Sequence, residues 1–386
     1  MLVADARFLK QPKDESLKHE IPREQVIYSA FSPDIRWLYK LLWGLKLNRV
    51  VNFINRMMIP DADILWLPLA KLAVKRILRQ HKIDMVFITA PPYSGLLLGL
   101  HIKKHYAIEF CVDFRDMWTL GVGRADNPPP SWIRHWEAKL EERVISHAKK
   151  VIVVNDSMKQ KMLEHYPHLA LSNVQSITNG FDEEDFPVAK HHQPKQYLNI
   201  VFTGSFYGRF QPDMVWAALV ALFKEAKITP ADIRFDVYGK NNSSFVLGAY
   251  AESKDIRSCV RIHPYLSHRN SVNKMSMADA LLLLSPSGVG ADMDSHSKLF
   301  EYMRSGTTIL AVIPPQSAGA QILAPCGTAI IADSADQEAV KQAILSIFTA
   351  WKGGTLAPKP NTSYIAQFER QTLTHKLAQC FEEALV

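Results

Sequence analysis

The sequence predicts an α/β protein built from two doubly wound domains in series. Three observations carry this. Short apolar runs rich in β-branched residues alternate with amphipathic helical patterns, which means parallel strands with helices on both faces. The alternation is interrupted once, by a polar, proline-bearing stretch at 179–196, and then resumes. The chain has 386 residues, enough for two domains of ordinary size.

The elements follow in order. DMVFITA (84–90) has the pattern of a buried strand and leads into a helix, SGLLLGLHIKKH. IEFCVDF (108–114) is the next strand, followed by a loop rich in proline and glycine (121–130) and a charged helix at 131–148. KVIVVN (150–155) is a strand, and Asp156-Ser157 is read as the N-cap pair of the helix after it. After the break come LNIVFTG (198–204), a helix from Pro212 to about Ala226, IRFDVYG (233–239), VRIHPYL (260–266), ADALLLLSP (278–286), a helix from Ser297, and TILAVI (308–313). The expected division is a first domain over 1–180, a linker over 181–196, a second domain over 197–364, and a last amphipathic helix, 365–386, packing back on the first domain.

Composition narrows the class. With 47% hydrophobic and 22% charged residues the chain is neither disordered nor fibrous. The four cysteines, Cys111, Cys259, Cys326 and Cys380, are far apart and form no C-x-x-C pair, so a disulfide framework or zinc site is not expected, and a reducing cytoplasm fits. The start lacks the order of a signal peptide, and no uncharged run approaches the ~18 residues that span a bilayer. The net charge of +7 is uneven. Residues 1–105 hold 17 Lys+Arg and 9 Asp+Glu, a net of +8, so an anion-facing surface is expected there.

Three segments carry chemistry. In SHSKLFEYMRSG (295–306), Ser297 can cap a helix with Lys298 and Glu301 in its first turn. A helix N-terminus with a cation beside it suits phosphate, and a carboxylate one turn on suits ribose hydroxyls. An ordinary capped helix with an i,i+3 ion pair explains the same spacing. In FTGSFYGRF (202–210), Gly204 and Gly208 flank a turn after a buried strand and Arg209 follows, which fits either a phosphate-cradling turn or a plain βα loop. In CVDFRDMW (111–118), Asp113, Arg115, Asp116 and Trp118 lie just past a strand's carboxyl end, where open α/β sheets bind ligands. An internal Arg115–Asp113 pair that orders the loop is the alternative, and Asp116 is the better functional candidate.

DFRDMW, ITNGFDEEDF, VFTGSF with a following arginine and SKLFEYMRSG, in this order, resemble the family-4 glycosyltransferases of bacterial polysaccharide synthesis. IPD at 59–61 with Trp66, TAPPYS at 89–94 and FERQ at 368–371 also match. The resemblance implies the GT-B fold, two Rossmann-like domains with the active cleft between them. It also implies retaining transfer of a sugar from a nucleotide diphosphate donor, with no metal or other cofactor. By position, Arg209 and Lys298 would neutralise the diphosphate and Glu301 would bind the ribose. Gly204, Ser205, Tyr265, Ser297 and Leu299 would complete the donor side, with 263–266 near the base. Asp116, with Arg115 and Trp118, would face the acceptor or the transferred sugar. Asp116, Arg209 and Lys298 are the catalytic candidates.

This sequence departs from the pattern twice. Where the family often has a second acid, eight positions before the glutamate, stands Met293, flanked by Asp292 and Asp294. The family's usual opening strand, glycine-rich loop and helix precede the segment that DARFLKQPKDESL resembles, so the first domain is expected to lack its first βα unit.

One stretch points to lipid. Residues 36–58 hold five basic residues and no acid, with Trp37, Leu41 and Leu45 at i+4 spacing and Val50 and Ile54 continuing. Such a helix can lie in a membrane interface, or it can be core beside an acceptor groove. Lipid-linked acceptors, which the resemblance implies, favour a peripheral site on the inner membrane face. Nucleic acid is not expected, because no recognition motif accompanies the charge. Two other readings stay open: a non-catalytic nucleotide-binding protein, and a nucleotide-sugar epimerase on the same fold.

Overall fold

The computed structural model describes residues 1–5, 21–33, 41–42, 44–121, 128–186 and 196–385, without the side chains of residues 5, 52 and 54–57. Much of DARFLKQPKDESL, Trp37 and Lys40 of the basic stretch, most of the loop at 121–130 and residues 187–195 of the expected linker lie outside them. The chain divides into two compact units, one of Met1–Ile177 with Lys376–Val386, the other of Thr178–His375.

The first unit opens on β1 (Leu2–Asp5), a strand the sequence pattern did not predict, paired in parallel with β2 (Tyr28–Phe31). Helix α1 (Asn48–Met57) and α2 (Leu67–Gln80) follow. Then β3 (Met85–Ala90), α3 (Ser94–Tyr106), β4 (Glu109–Phe114), α4 (Ser131–His147), β5 (Val151–Val153), α5 (Asp156–His165) and β6 (Val174–Ser176) build a second, four-stranded parallel sheet in the order β3-β4-β5-β6. Strand β4 is buried on both faces, with Phe110, Cys111, Val112 and Phe114 inaccessible to solvent, as a parallel strand covered by helices requires. The cap of α5 is Asn155, one residue before the expected pair: its side chain accepts the Met158 N–H at 2.8 Å.

Among the described residues β1 pairs only with β2 and β3 only with β4, so this sheet is in two pieces. Helices α2 and α3 span the division: Leu67, Ala70, Val74, Leu98 and Ile102 form one cluster that takes in both Leu2 of β1 and Val86 of β3. On β3, Phe87 is 38% exposed and its ring meets Phe381, near the far end of the chain, edge-on at 5.1 Å. Lys150 pairs with Glu383 at 2.7 Å, so residues 376–385 pack on this unit.

The second unit is a single parallel sheet. Its strands are β7 (Leu198–Thr203), β8 (Ile233–Tyr238), β9 (Val260–His263), β10 (Ala280–Leu284), β11 (Thr308–Val312) and β12 (Ala329–Ala332), in the order β12-β11-β10-β7-β8-β9. Its longer helices are α6 (Asp213–Lys224), α7 (His268–Ser276), α8 (Lys298–Ser305) and α9 (Gln337–Lys352). This is the doubly wound order, with its switch point between β7 and β10. Alternate residues feed two cores: Leu198, Ile200 and Phe202 join Leu219 and Ile344 on one face, and Val201, Leu281 and Leu283 join Leu299 and Tyr302 on the other.

Two expectations change here. The first part of the expected linker is not a tether, since Phe181 and Phe186 are buried in the second unit's core. The last helix is two: Thr362–Ala366 ends before α10 (Arg370–Leu385), whose first turn is capped by Glu369 accepting the N–H groups of Gln371 and Thr372. Among the described residues no helix is long and apolar enough to cross a membrane. All four cysteines are buried and free.

Candidate active site

The sheet order of the second unit brings distant segments together at the carboxyl ends of β7 and β10. Strand β7 ends at Thr203, whose N–H donates to the Tyr302 hydroxyl at 3.1 Å. That bond from the fully buried Tyr302 fixes α8 against the strand end. One turn earlier, Lys298 is carried to Gly204. A Cβ added at Gly204 would lie 2.9 Å from Lys298 Nζ, and its φ of +136° is one that side-chain-bearing residues avoid. Gly239 at the end of β8 makes room in the same way, since a Cβ there would sit 2.0 Å from the Gly204 carbonyl oxygen. Asn241 holds this turn from both sides: its amide donates to the Gly204 carbonyl at 2.9 Å and its Oδ1 accepts the Phe206 N–H at 2.9 Å.

Lys298 lies over the Phe202 ring at 4.0 Å. Burial lowers its pKa to about 8, against the opposing pull of Glu301 and Asp294. Beside it, burial also lowers the pKa of His296, whose ring meets Phe210 edge-on at 5.3 Å. Asp294 lies 3.5 Å from His296 and accepts a short hydrogen bond from the Ser285 hydroxyl at the end of β10. A partly desolvated ammonium at a glycine turn, at the switch point of a doubly wound sheet, has the chemistry that suits a phosphate group.

Glu301 does not pair with Lys298. Its Oε1 lies 2.9 Å from His268 Nε2 at the start of α7, and His268 Nδ1 lies 3.5 Å from Asp185. With a carboxylate at each ring nitrogen, the hydrogen bond to Glu301 foremost, the His268 pKa is raised. Asp185 is held in reach because Arg304, on α8, binds the neighbouring Glu183 through two nitrogens. The sequence reading missed His268, Asp185 and Asn241. His268 lies 33 residues from Glu301, Asp185 lies 83 from His268 (268 − 185) and Asn241 lies 37 from Gly204, and no local spacing connects them.

The other predicted donor-side residues fall into two groups. Gly204 and Ser205 lie in the turn itself, and the Arg209 guanidinium reaches across to the Val289 carbonyl at 3.5 Å, beside Gly288. Tyr265 stands 52% exposed after β9, with no hydrogen bond or ring contact to the others among the described residues. Ser297 is already helical and makes no side-chain cap, contrary to the expected N-cap role. Leu299 is a core residue: its side chain is inaccessible and its N–H donates to the His296 carbonyl at 3.1 Å, leaving it nothing to offer a ligand. Met293 is buried, and of its acidic neighbours Asp294 is engaged by Ser285 while Asp292 is exposed.

In the first unit the carboxyl end of β4 holds a separate group. Asp113 is buried and accepts from Arg115 Nε at 2.7 Å and from the Thr89 hydroxyl at 3.0 Å. Arg115 therefore orders the loop, the structural of its two predicted roles. Trp118 is not a surface platform: it is 1% exposed and stacked on Tyr93 at 5.2 Å, 9° from parallel. The Tyr93 hydroxyl donates to the Met117 carbonyl at 3.0 Å. Asp116 alone of the three predicted acceptor-side residues is exposed. Asp61 of the IPD segment accepts from both the N–H and the hydroxyl of Ser94 at the start of α3.

The model for the family described as Glycosyltransferase Family 4 matches residues 23–185. These residues belong to glycosyltransferase family 4. None of the curated proteins compared matches the chain. Among solved structures, the chain is similar to sucrose-phosphate synthase from Thermosynechococcus elongatus, with a TM-score of 0.59 at 17% identity, over 83% of this chain and 78% of that one. It is similar to the lipopolysaccharide outer core galactosyltransferase WaaB in its apo form, with a TM-score of 0.56 at 12% identity, over 94% and 85%. A third likeness is the pneumococcal O-GlcNAc transferase GtfA in complex with UDP and GlcNAc, with a TM-score of 0.56 at 15% identity, over 82% and 60%. The fold is therefore GT-B, two parallel-sheet α/β domains. The family model falls almost wholly within the unit with the divided sheet, whereas the phosphate-suited turn belongs to the other unit.

Proposed function

We propose that this chain is a retaining glycosyltransferase that moves a sugar from a nucleotide diphosphate sugar to a glycan or lipid-linked acceptor, in cell-surface polysaccharide synthesis. The single observation that carries the reading is Lys298, its ammonium against Gly204 at the switch point of the second unit. As the glycosidic bond to the donor breaks, the diphosphate gains negative charge. Lys298, with Arg209 on the neighbouring loop, offsets that charge in partly desolvated surroundings, where such a contact is worth more than in water. The reading needs no metal or further cofactor. Glu301, oriented by His268, is assigned to the ribose hydroxyls, and Asp116 to the acceptor side.

The peripheral-membrane part of the reading rests on residues 41–53. Leu41, Leu45, Leu47, Val50 and Phe53 are each more than 40% exposed, among Lys46 and Arg49 and without an acid. Exposed apolar side chains with interspersed cations suit an anionic bilayer face. An inner-leaflet, cytoplasmic location follows from the nucleotide sugar, which is a cytoplasmic metabolite class.

The test is a thermal-shift screen against nucleotide diphosphate sugars. A ligand that binds the folded state raises the melting temperature with concentration. One sugar nucleotide is expected to do so in the wild type and not in Lys298→Ala or Glu301→Ala. Unchanged binding and turnover in both variants would defeat the site assignment.

A further inference from the structure

Helix α4 (Ser131–His147) carries a surface that the site above does not use. Its charges balance in the sequence: Arg134, Lys139 and Arg143 against Glu137, Glu141 and Glu142. Burial sorts them. Glu137 is 2% exposed and Glu141 is inaccessible, held by the N–H and hydroxyl of Thr119, on the same inner face as Ile133, Val144 and Ile145. The outward face keeps two tryptophans, Trp132 at 50% and Trp136 at 57% exposure, with exposed Lys139 and Arg143 on the following turns. At 3.6 residues per turn these four side chains share an arc of about 60°. Glu142 lies about 60° beyond its edge. Two tryptophans half in water on one helix face, continued by two cations, are not the outer face of an ordinary core helix.

We infer that this stripe of α4 is a second membrane-contact surface of the first unit, taking anionic lipid. The inference rests on the peripheral-membrane reading above. The indole rings are amphipathic and favour the headgroup boundary. Lys139 and Arg143 stand where lipid phosphates would meet them, one to two turns along the same face. The charge is complementary at longer range too, since residues 1–105 of the same unit add a net of +8. A neutral glycan would stack on the tryptophans but has no use for the cations beside them, so lipid is the occupant this face fits.

The test is co-sedimentation of the full chain with mixed phosphatidylcholine–phosphatidylglycerol vesicles and with pure phosphatidylcholine. Three double variants are compared: Trp132→Ala with Trp136→Ala, Lys139→Glu with Arg143→Glu, and Leu45→Ser with Phe53→Ser. All six side chains are exposed, and matching thermal melts confirm that each variant folds. The wild type is expected to bind the anionic vesicles, and the tryptophan variant to bind about tenfold or more weakly. The charge variant is expected to lose about fivefold or more per cation, an effect that added salt removes. If the tryptophan variant binds like the wild type while the Leu45/Phe53 variant does not, the inference is overturned and the membrane reading stands. If the wild type itself fails to bind, both fall. If the tryptophan variant keeps its vesicle binding but loses a glycan acceptor, the face belongs to the glycan and the inference is again overturned.

Discussion

The two units use the same architecture to different ends. In the second, six parallel strands run unbroken, the inner strands β7, β10 and β11 are buried throughout, and the switch point places a glycine turn, a desolvated lysine and a histidine-held glutamate in fixed relation. In the first, the described strands form two pieces joined by helices, β3 leaves Phe87 partly in water, and exposed apolar and basic side chains gather on α4 and around residues 41–53. A continuous sheet fixes where loop ends meet, so it can hold a small ligand to fractions of an ångström.

The largest expected contrast is in stability. Leu282→Ala on β10, where the side chain is inaccessible, should cost about 2–5 kcal/mol in denaturant unfolding. Phe87→Ala on β3, 38% exposed, should cost about 1 kcal/mol. An equal loss at Phe87 would mean that β3 is better covered in solution than its exposure indicates, and the contrast between the sheets would fail.

Next is Lys298→Met. Removing a charge-assisted contact of roughly 1.5–3 kcal/mol should weaken binding of the nucleoside diphosphate part of the donor by about tenfold or more, read by calorimetry at neutral pH. The same lysine sets a pH dependence. With its pKa lowered to about 8, nucleotide affinity should fall as pH rises through that value in the wild type and stay level in Lys298→Met. A slope that survives the substitution would move the phosphate contact elsewhere.

The smallest effect concerns His268. Its pKa is raised in the folded state, so the bridge to Glu301 and Asp185 contributes stability that is fully present below the ordinary histidine value of about 6.5. It is lost as pH rises through the raised value. The melting-temperature difference between wild type and His268→Asn should therefore shrink toward alkaline pH. A constant difference would show that His268 acts by packing alone.

Much of the fold was legible because it is local. Strands such as Met85–Ala90, Leu198–Thr203 and Thr308–Val312, and helices such as Ser94–Tyr106, fall within a residue or two of the ranges their hydrophobic patterns predict. The candidate site was only half legible. Gly204, Arg209, Lys298 and Glu301 stand out in their own segments, but Leu299 turns into the core because it sits on the inward side of α8. Trp118 likewise reads as a surface group next to two charges, yet stacks on Tyr93, which lies 25 residues away (118 − 93). Even Phe181 and Phe186, in a polar acidic stretch, are core, because burial depends on what the chain meets and not on its neighbours in sequence.

By itself the sequence determined the alternation of strands and helices, the excess of positive charge in the first quarter, and the few residues suited to a phosphate. These depend on backbone periodicity and residue chemistry, which act within a turn or two. Only the tertiary structure decided that Lys298 lies against Gly204, that His268 rather than Lys298 binds Glu301, and that α4 turns two acids inward and two tryptophans outward. The physical reason is that strand order and helix docking bring together groups tens of residues apart, and no short-range pattern encodes which of them will meet.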